Sequence, residues 1–254
     1  MIFDSHAHYD DERFDEDRNE IIERIFKEDV KNVLNVSSDY ESIGKMISLI
    51  KKYDFFYGAC GIHPHDVSEM TEDTMNYVIE TASKEKVVAI GEIGLDYYYD
   101  YSPRDLQKKW FARQINEAKN LKIPVIIHDR DAHEDTLKIV KNENAKEIGG
   151  VFHCYSGSVE MVKTVLKNNF YISVGGTVTF KNARKIIEVV DYVPIEKILV
   201  ETDAPFLSPE PVRGRRNDSR NLKYIIQKIS ELKNMSFEDT ANITYQNAVN
   251  LFKI

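Results

Sequence analysis

The sequence predicts an α/β fold of the TIM (β/α)8 barrel type that occupies residues 1–254 as a single domain. Eight short runs rich in apolar and β-branched residues alternate with longer amphipathic segments, which is the element order of a barrel of parallel strands. Some runs, such as Val87–Ile90, are apolar at consecutive positions, as expected for strands covered on both faces. A doubly wound open sheet is the alternative, but the chain lacks the two commonest glycine-rich phosphate-binding motifs of that fold.

The strands are expected at regular intervals along the chain. The first begins at the N terminus, two of the most apolar runs lead to Glu92 and His128, and the last run leads to Asp203. The predicted strands are Met1–Ser5, Asn32–Val36, Phe55–Gly61, Val87–Glu92, Pro124–His128, Gly149–His153, Tyr171–Gly175 and Ile198–Asp203.

Helices are expected between the strands because apolar residues recur there at spacings of three and four. The first such segment carries Ile21, Ile22 and Ile25 on one stripe, and Pro103 fits the first turn of a long helix. The predicted helices are Arg18–Glu28, Ser102–Leu121, two segments around 137–140 and 161–166, Asn221–Leu232 and Phe237–Phe252.

Composition narrows the class of protein. The 34 basic and 42 acidic residues leave a formal net charge of −8, which excludes a polybasic protein that holds nucleic acid mainly by bulk charge. No apolar run approaches the roughly 20 residues of a membrane span, and the N terminus lacks the layout of a signal peptide. The two cysteines, Cys60 and Cys154, exclude a disulfide scaffold and favour a cytoplasmic protein. Nothing in the sequence indicates an obligate protein partner.

Histidines and carboxylates follow the predicted strands at their carboxyl ends, where α/β barrels hold their catalytic groups. His6 and His8 are two residues apart, so both imidazoles of an extended strand point the same way. Taken alone, this pair is also typical of hydrogen bonding at a strand end. The case for a metal site is stronger because four of the seven histidines lie at strand ends. The converging candidates are His6, His8, Glu92, His128, His153 and Asp203.

This set is too large for one open catalytic ion, which takes about three or four protein ligands. It suits two divalent ions that share a carboxylate, and Glu92 is the natural bridge because its strand lies between the two groups. Two ions ~3.5–4 Å apart assist a displacement at phosphorus by clamping the attacking and leaving oxygens. An ordinary ion pair between Glu92 and a loop arginine is the alternative interpretation.

Six motifs that contain these residues occur in order along the chain. They are HAH at 6–8, GIHPH at 61–65, GEIGLDY at 91–97, PVIIH at 124–128, HCYSG at 153–157 and ETDAP at 201–205. Together they resemble the TatD family of metal-dependent deoxyribonucleases, within the amidohydrolase superfamily, over essentially the whole chain. The resemblance implies a barrel of the metallo-dependent hydrolase type and Mg²⁺-dependent 3′→5′ exonuclease activity, chiefly on single-stranded DNA.

The resemblance also assigns roles to individual residues. It gives Asp203 a part in orienting or deprotonating the water that the metal activates, and it places His63 at the phosphate of the substrate. Four imidazoles favour Zn or Mn over Mg²⁺, so we expect Mg²⁺ or Mn²⁺ to support activity and Zn or another transition metal to copurify. The implied ligands are His6, His8, Glu92 and Asp203 for the first ion and Glu92, His128 and His153 for the second.

A basic loop follows the last predicted strand, with four arginines within residues 213–220 of a chain that is acidic overall. Guanidinium groups bind phosphate oxygens bidentately, so Arg213, Arg215 and Arg216 are predicted to bind substrate together with His63. A solvated run of charge is the alternative. The family loop usually reads RGKRNEP, where this chain reads RGRRNDS.

A group of tyrosines follows the Glu92 motif, at positions 97, 98, 99 and 101. Aromatic side chains at such a place either stack on unpaired bases or pack under a loop. The leading hypothesis is therefore a nuclease acting on single-stranded DNA ends, with RNA as a further substrate. The same ligand set would suit an amidohydrolase-type hydrolase of a small phosphodiester, lactone or amide. A metal-binding protein without activity is a third class, which the complete ligand set disfavours.

Overall fold

Eight parallel strands form one sheet in the computed structural model, which describes residues 1–254. Each strand pairs with the next along the chain, in the order β1 to β8. The ring closes between its first and last strands, where the His8 N–H donates to the Ala204 carbonyl at 2.7 Å and the Asp203 N–H donates to the His6 carbonyl at 2.9 Å. The strands are β1 Ile2–Ala7, β2 Val30–Val36, β3 Phe56–Cys60, β4 Val87–Asp96, β5 Val125–Arg130, β6 Gly150–Phe152, β7 Phe170–Val174 and β8 Ile198–Val200.

One helix follows each strand, and a ninth helix ends the chain. This alternation forms the TIM barrel that the sequence predicts. Each pair of consecutive strands is joined by a helix in a βαβ unit. The helices are α1 Arg18–Lys27, α2 Tyr40–Lys52, α3 Glu72–Ala82, α4 Arg104–Leu121, α5 His133–Asn142, α6 Val159–Lys167, α7 Arg184–Tyr192, α8 Leu222–Lys233 and α9 Phe237–Phe252. None of them combines the length and the hydropathy that crossing a lipid bilayer would need.

The apolar core has two layers. The larger lies between the strands and the surrounding helices, and the smaller fills the inside of the barrel. The end of α9 closes the barrel at its amino-terminal face, where Phe3 packs against Phe252 with ring centroids 6.1 Å apart. Burial of each such side chain contributes about 1.5–3 kcal/mol. With one end plugged, the pocket of the barrel opens only toward the carboxyl ends of the strands.

Strands β1, β4 and β5 extend beyond their predicted ends, whereas β3, β6, β7 and β8 end before theirs. The pairing of β4 with β5 continues from Gly94 and His128 as far as Asp96 and Arg130. Gly94 makes this possible because its φ is +148° and a Cβ there would lie 1.9 Å from the His128 carbonyl oxygen. Glu92 and His128 therefore lie within paired strands. By contrast, β6 and β8 end before His153 and Asp203, which lie in the first residues after each strand.

Candidate metal centre and substrate pocket

The predicted ligands meet at the bottom of a pocket of about 690 Å³ at the carboxyl face of the barrel. Five of them line the pocket, and the fully buried His6 lies behind them with its ring stacked on His153 at 4.1 Å. The structure thus brings together side chains from five different strands or strand ends. We call this set the pocket floor: His6, His8, Glu92, His128, His153 and Asp203.

The first half of the pocket floor surrounds the Oε2 atom of Glu92. The Nε2 atoms of His6 and His8 lie 3.2 Å apart, and His6 Nε2 lies 3.3 Å from Glu92 Oε2. Asp203 completes the group, with its Oδ1 atom 3.4 Å from His8 Nε2 and 3.9 Å from His6 Nε2. Four ligand atoms from four side chains therefore face one common centre.

The second half surrounds the other oxygen of the same carboxylate. Glu92 Oε1 lies 2.7 Å from His128 Nδ1 and 2.7 Å from His153 Nε2, and those two nitrogens are 3.3 Å apart. His63 Nε2 approaches the same oxygen to 3.5 Å. Glu92 thus presents one oxygen to each half, which is the geometry of a bridging carboxylate.

The first half has the spacing of a divalent-cation site, whereas the 2.7 Å contacts of the second half are hydrogen-bond distances. Atoms that ligate an ion at about 2.0–2.2 Å in tetrahedral geometry lie about 3.3–3.6 Å from one another, close to the spacings of the first half. Facing imidazole nitrogens 3.2 Å apart compete for a single proton, whereas a cation between them would accept both lone pairs. The Nδ1 atoms of His6 and His153 are buried without a hydrogen-bond partner.

The carboxylates of the pocket floor are held in their ionised form. Burial opposes ionisation of Glu92, but the charges and hydrogen bonds of His153, His63 and His128 outweigh it and hold the pKa of Glu92 well below its usual range. Burial likewise opposes protonation of His8, but the hydrogen bond and charge of Asp203 outweigh it and raise the pKa of His8 to about 9. Without an ion the histidines share protons with the carboxylates, so cation binding at this site releases protons.

Comparison with known proteins identifies the family. The family model described as "TatD related DNase" matches residues 3–253. This chain belongs to the TatD family. The "Uncharacterized metal-dependent hydrolase YabD" of Bacillus subtilis is 48% identical over 254 residues and is covered completely, as is this chain. The "3'-5' ssDNA/RNA exonuclease TatD" of Salmonella typhimurium is 30% identical, over 100% of this chain and 99% of that protein.

A solved structure extends the likeness to three dimensions. YJJV, a TatD homologue from Escherichia coli K12, superposes with a TM-score of 0.93 at 27% identity, over 100% of this chain and 98% of the other. These findings confirm both the predicted family and the predicted barrel. The protein is a metal-dependent hydrolase of the TatD family.

Asp96 lies directly behind the pocket floor of this TatD-family chain, at a position that the sequence-based prediction did not include. Its Oδ2 atom accepts hydrogen bonds from His128 Nε2 at 3.0 Å and from His65 Nε2 at 2.9 Å. A carboxylate on the far nitrogen of a metal-ligating histidine fixes the ring and its tautomer. A signal existed in the sequence, because Glu92, Gly94 and Asp96 share one face of an extended strand.

A second missed carboxylate, Asp4, lies below the other half of the pocket floor. It is fully buried on β1 and accepts hydrogen bonds from Thr202 N–H at 2.9 Å, Thr202 Oγ1 at 2.6 Å and Ser219 Oγ at 2.6 Å. Burial raises the pKa of Asp4 to about 7 against the lowering effect of those hydrogen bonds. The network ties β1 to the segment that carries Asp203. Asp4, His6 and His8 are spaced two residues apart along the chain. The alternation of an extended strand could therefore have predicted that Asp4 shares a face with the two histidines.

Glu201, next to Asp203 in sequence, faces the second half of the floor. Its Oε1 atom accepts the Cys154 N–H at 2.8 Å and lies 3.5 Å from His153 Nδ1, and its other oxygen accepts the Ser173 hydroxyl. His153 therefore lies between two carboxylates, Glu92 and Glu201. This arrangement favours a positioning role for Glu201.

The mouth of the pocket has two unlike sides. One side is acidic, and we call it the acidic rim: Asp10, Asp11, Glu12, Asp39 and Glu41, with Phe206 beside them. The other side we call the tyrosine rim: Tyr98, Tyr99, Tyr101 and Arg130, of which Tyr99 and Arg130 line the pocket itself.

The predicted substrate-binding residues divide between the pocket and the surface. His63 lines the pocket, whereas the three arginines of the basic loop do not. The Arg216 guanidinium donates to Asp17 Oδ1 at 2.9 Å and to the Arg13 carbonyl at 2.6 Å, and Arg213 lies over the ring of Phe180 at 4.1 Å. Partners outside the pocket therefore hold these two side chains. A role for Arg213, Arg215 and Arg216 in binding substrate stays a prediction.

Proposed function

We propose that this TatD-family hydrolase cleaves phosphodiester bonds of nucleic acid and removes nucleotides from the 3′ end of single-stranded DNA, with RNA as a further substrate. The observation that carries this proposal is the geometry of Glu92, which presents one oxygen to each of two ligand groups. A relative at 30% identity bears the name of an exonuclease of single-stranded DNA and RNA, which supports the same substrate class.

The cofactor that fits the pocket floor is a pair of divalent ions. Two such ions ~3.5–4 Å apart stabilise the attacking and the leaving oxygen of a displacement at phosphorus. We propose His6, His8, Glu92 and Asp203 as ligands of one, and Glu92, His128 and His153 as ligands of the other. Mg²⁺ or Mn²⁺ is expected to support activity, and the imidazole ligands favour copurification of Zn or another transition metal.

Asp203 and His63 are the proposed catalytic side chains beside Glu92. Burial opposes ionisation of Asp203, but the hydrogen bond from His8 outweighs it and lowers the pKa of Asp203. Its carboxylate is thus available to orient the attacking water and to accept its proton. Burial and the nearby His128 lower the pKa of His63 to about 4, so its imidazole is neutral and can donate one hydrogen bond to a phosphate oxygen.

The position of the pocket floor favours strand ends over the middle of a duplex. It lies at the bottom of a pocket whose acidic rim carries five carboxylates. A duplex carries one negative charge per about 1.7 Å of its axis, so close contact along this side is repulsive. A single strand can bend into the pocket and keep its remaining phosphates away from the acidic rim.

A gel assay tests the proposal. A 5′-labelled single-stranded DNA oligonucleotide is incubated with the protein in Mg²⁺ or Mn²⁺, with an EDTA control and with the Glu92→Ala variant. The expected result is a ladder that shortens from the 3′ end, requires the metal and is absent with the variant. A parallel lane with RNA of the same sequence measures the preference between the two polymers.

The opposite result would redirect the search for the substrate. If folded, metal-loaded protein leaves DNA and RNA intact, the nuclease proposal is wrong. Small phosphodiesters, lactones and amides would then be the substrates to examine, because the same metal centre suits their hydrolysis.

A further inference from the structure

Exposed aromatic side chains are concentrated around the mouth of the pocket. Of the nine large hydrophobic side chains that the structure leaves exposed, four lie on the two rims and a fifth, Leu207, also lines the pocket. Three of them are the tyrosines of the tyrosine rim, with exposed fractions of 59% for Tyr98, 45% for Tyr99 and 67% for Tyr101. Their hydroxyl groups make no hydrogen bond within the protein, so packing under a loop does not account for them. An exposed aromatic patch that continues a pocket is typical of a binding surface.

The tyrosine rim is tied to the pocket floor by one carboxylate. Asp96 Oδ1 accepts the backbone N–H groups of Tyr98 at 3.0 Å and Tyr99 at 2.8 Å, while its Oδ2 atom accepts His128 Nε2 at 3.0 Å. The Tyr99 and Tyr101 rings stack with centroids 5.3 Å apart, and Tyr101 packs against His65. These contacts hold the rings at a fixed distance from the metal ligands.

Arg130 supplies the charge of this surface. Its guanidinium lies 4.1 Å from the ring centroid of Tyr98 and 4.7 Å from that of Tyr99, and no carboxylate lies within 4 Å of it. The acidic rim provides the contrast, since Arg13 lies 4.1 Å over the Phe206 ring but is paired with both oxygens of Asp11 at 2.9 Å. Only the tyrosine rim therefore offers stacked rings together with an uncompensated positive charge.

We propose that the tyrosine rim binds the unpaired nucleotides on the 5′ side of the scissile linkage, with its rings stacked on bases and Arg130 on a backbone phosphate. This inference rests on the proposed nuclease function. Base stacking on aromatic side chains tolerates any sequence and requires unpaired bases, so the rim accounts for a preference for single strands. It also requires that catalytic efficiency increase with the first few nucleotides of substrate length and then level off.

The test compares two substrates that share the chemical step. One is bis(4-nitrophenyl) phosphate, a small diester without nucleotides on the 5′ side of its linkage, and the other is decathymidylate. The variants are Tyr98→Ala and Tyr101→Ala, with Tyr98→Phe as the conservative rescue. Tyr192→Ala is the matched control, because Tyr192 is 47% exposed beside Lys163 but ends α7, which returns to the opposite face of the barrel.

The expected result is a fall of about 5- to 150-fold in the ratio of kcat/KM for decathymidylate to kcat/KM for the small diester, for each alanine variant. Tyr98→Phe should restore the ratio, since it keeps the ring, and Tyr192→Ala should leave it unchanged. The affinity for a labelled phosphorothioate decathymidylate, measured by fluorescence anisotropy, should fall in parallel. Measurements of metal content show whether each variant keeps an intact pocket floor, and thermal unfolding shows whether it keeps its fold.

The outcomes separate this inference from the function on which it rests. If wild-type protein degrades decathymidylate and the alanine variants keep both the ratio and the affinity, the tyrosine rim is not the binding surface. If wild-type protein cleaves no oligonucleotide but its affinity depends on Tyr98 and Tyr101, the nuclease proposal fails and nucleic-acid binding by the rim stands. If no oligonucleotide binds, both are wrong.

Discussion

The pocket floor is carried by strands and by the first residues after them, whereas its two rims are carried by loops and strand extensions. On the floor, backbone pairing and buried hydrogen bonds hold each ligand, as with His128 on β5 under Asp96. At the rims, exposed side chains are held by local partners, such as Asp11 for Arg13 and the tyrosine rings for Arg130. The floor therefore determines the kind of reaction, and the rims determine which molecules reach the floor.

The floor and the rims also differ in charge. Each carboxylate of the floor lies beside histidines. A pair of divalent ions held by these groups would neutralise the negative charge of the carboxylates. Four of the five carboxylates of the acidic rim are partly or fully exposed at the mouth and oppose a polyanion, while Arg130 attracts one. The charge of Arg130 therefore favours a path for a bound strand over the tyrosine rim. Substitutions in the floor should affect all substrates equally, and substitutions in the rims should affect long ones.

The largest effect is expected for Glu92→Ala, which removes the carboxylate shared by both halves of the floor. Activity should fall at least about a thousandfold on every substrate, large or small, because the metal centre loses several kcal/mol of transition-state stabilisation. Mass spectrometry of the protein's metal should show fewer ions per chain. Asp129→Asn is a matched control, since Asp129 on β5 pairs with His133 at 2.8 Å outside the pocket. Normal activity of a folded Glu92→Ala variant would contradict the bridging role.

Asp96→Ala tests the link between floor and tyrosine rim and should have the next largest effect. Loss of a carboxylate behind a ligating histidine typically lowers metal affinity or activity by about 10- to 100-fold. Because Asp96 also holds the backbone of Tyr98 and Tyr99, the preference for long substrates should decrease as well. Equilibrium dialysis with Mn²⁺ measures the first effect, and the ratio of kcat/KM values measures the second. If metal affinity is unchanged, Asp96 does not position His128.

The floor could be predicted from the sequence because it depends on the short-range periodicity of strands. Parallel strands in a barrel bring their carboxyl ends together, so His6, His8 and Glu92 could be placed side by side without knowing any loop. Even the missed residues, Asp4 and Asp96, follow the same alternation along β1 and β4. The prediction did not include these two carboxylates because it was limited to histidines and to carboxylates at the predicted strand ends.

The surroundings of the basic loop and of Arg130 could not be predicted in the same way, because they depend on residues far along the chain. Arg216 is held by Asp17, 199 residues away, and nothing local to the basic loop indicates that contact. Arg130 reaches the mouth only because the pairing of β4 and β5 continues past Gly94. The sequence predicts phosphate binding by arginines of the basic loop, whereas the arginine that lines the pocket, Arg130, is found only in the folded structure.

A smaller effect, of a few-fold in affinity, is expected when the single uncompensated charge of the tyrosine rim is removed. For Arg130→Ala, the slope of log K against log salt concentration for single-stranded DNA should decrease by about 0.7, the value for one phosphate contact. Arg13→Ala is the matched variant on the acidic rim and should leave the slope unchanged, because Asp11 already compensates that charge. Equal slopes for the two variants would remove the distinction between the rims.

The smallest effect is expected for Arg216→Ala, which tests the arginine loop against the tyrosine rim. Since Asp17 holds this guanidinium outside the pocket, affinity for decathymidylate should change less than about twofold, and an exposed pair of this kind contributes only about 0–1 kcal/mol to stability. The hydrogen bond from Arg216 lowers the pKa of Asp17, so any contribution exists above the ordinary aspartate pKa of about 3.9 and is lost as the pH falls below it. Thermal unfolding of wild type and variant should therefore differ slightly at pH 7 and converge in acid. A tenfold loss of affinity would instead show that the basic loop leaves Asp17 and joins the substrate, which would give the bound strand a second contact remote from the tyrosine rim.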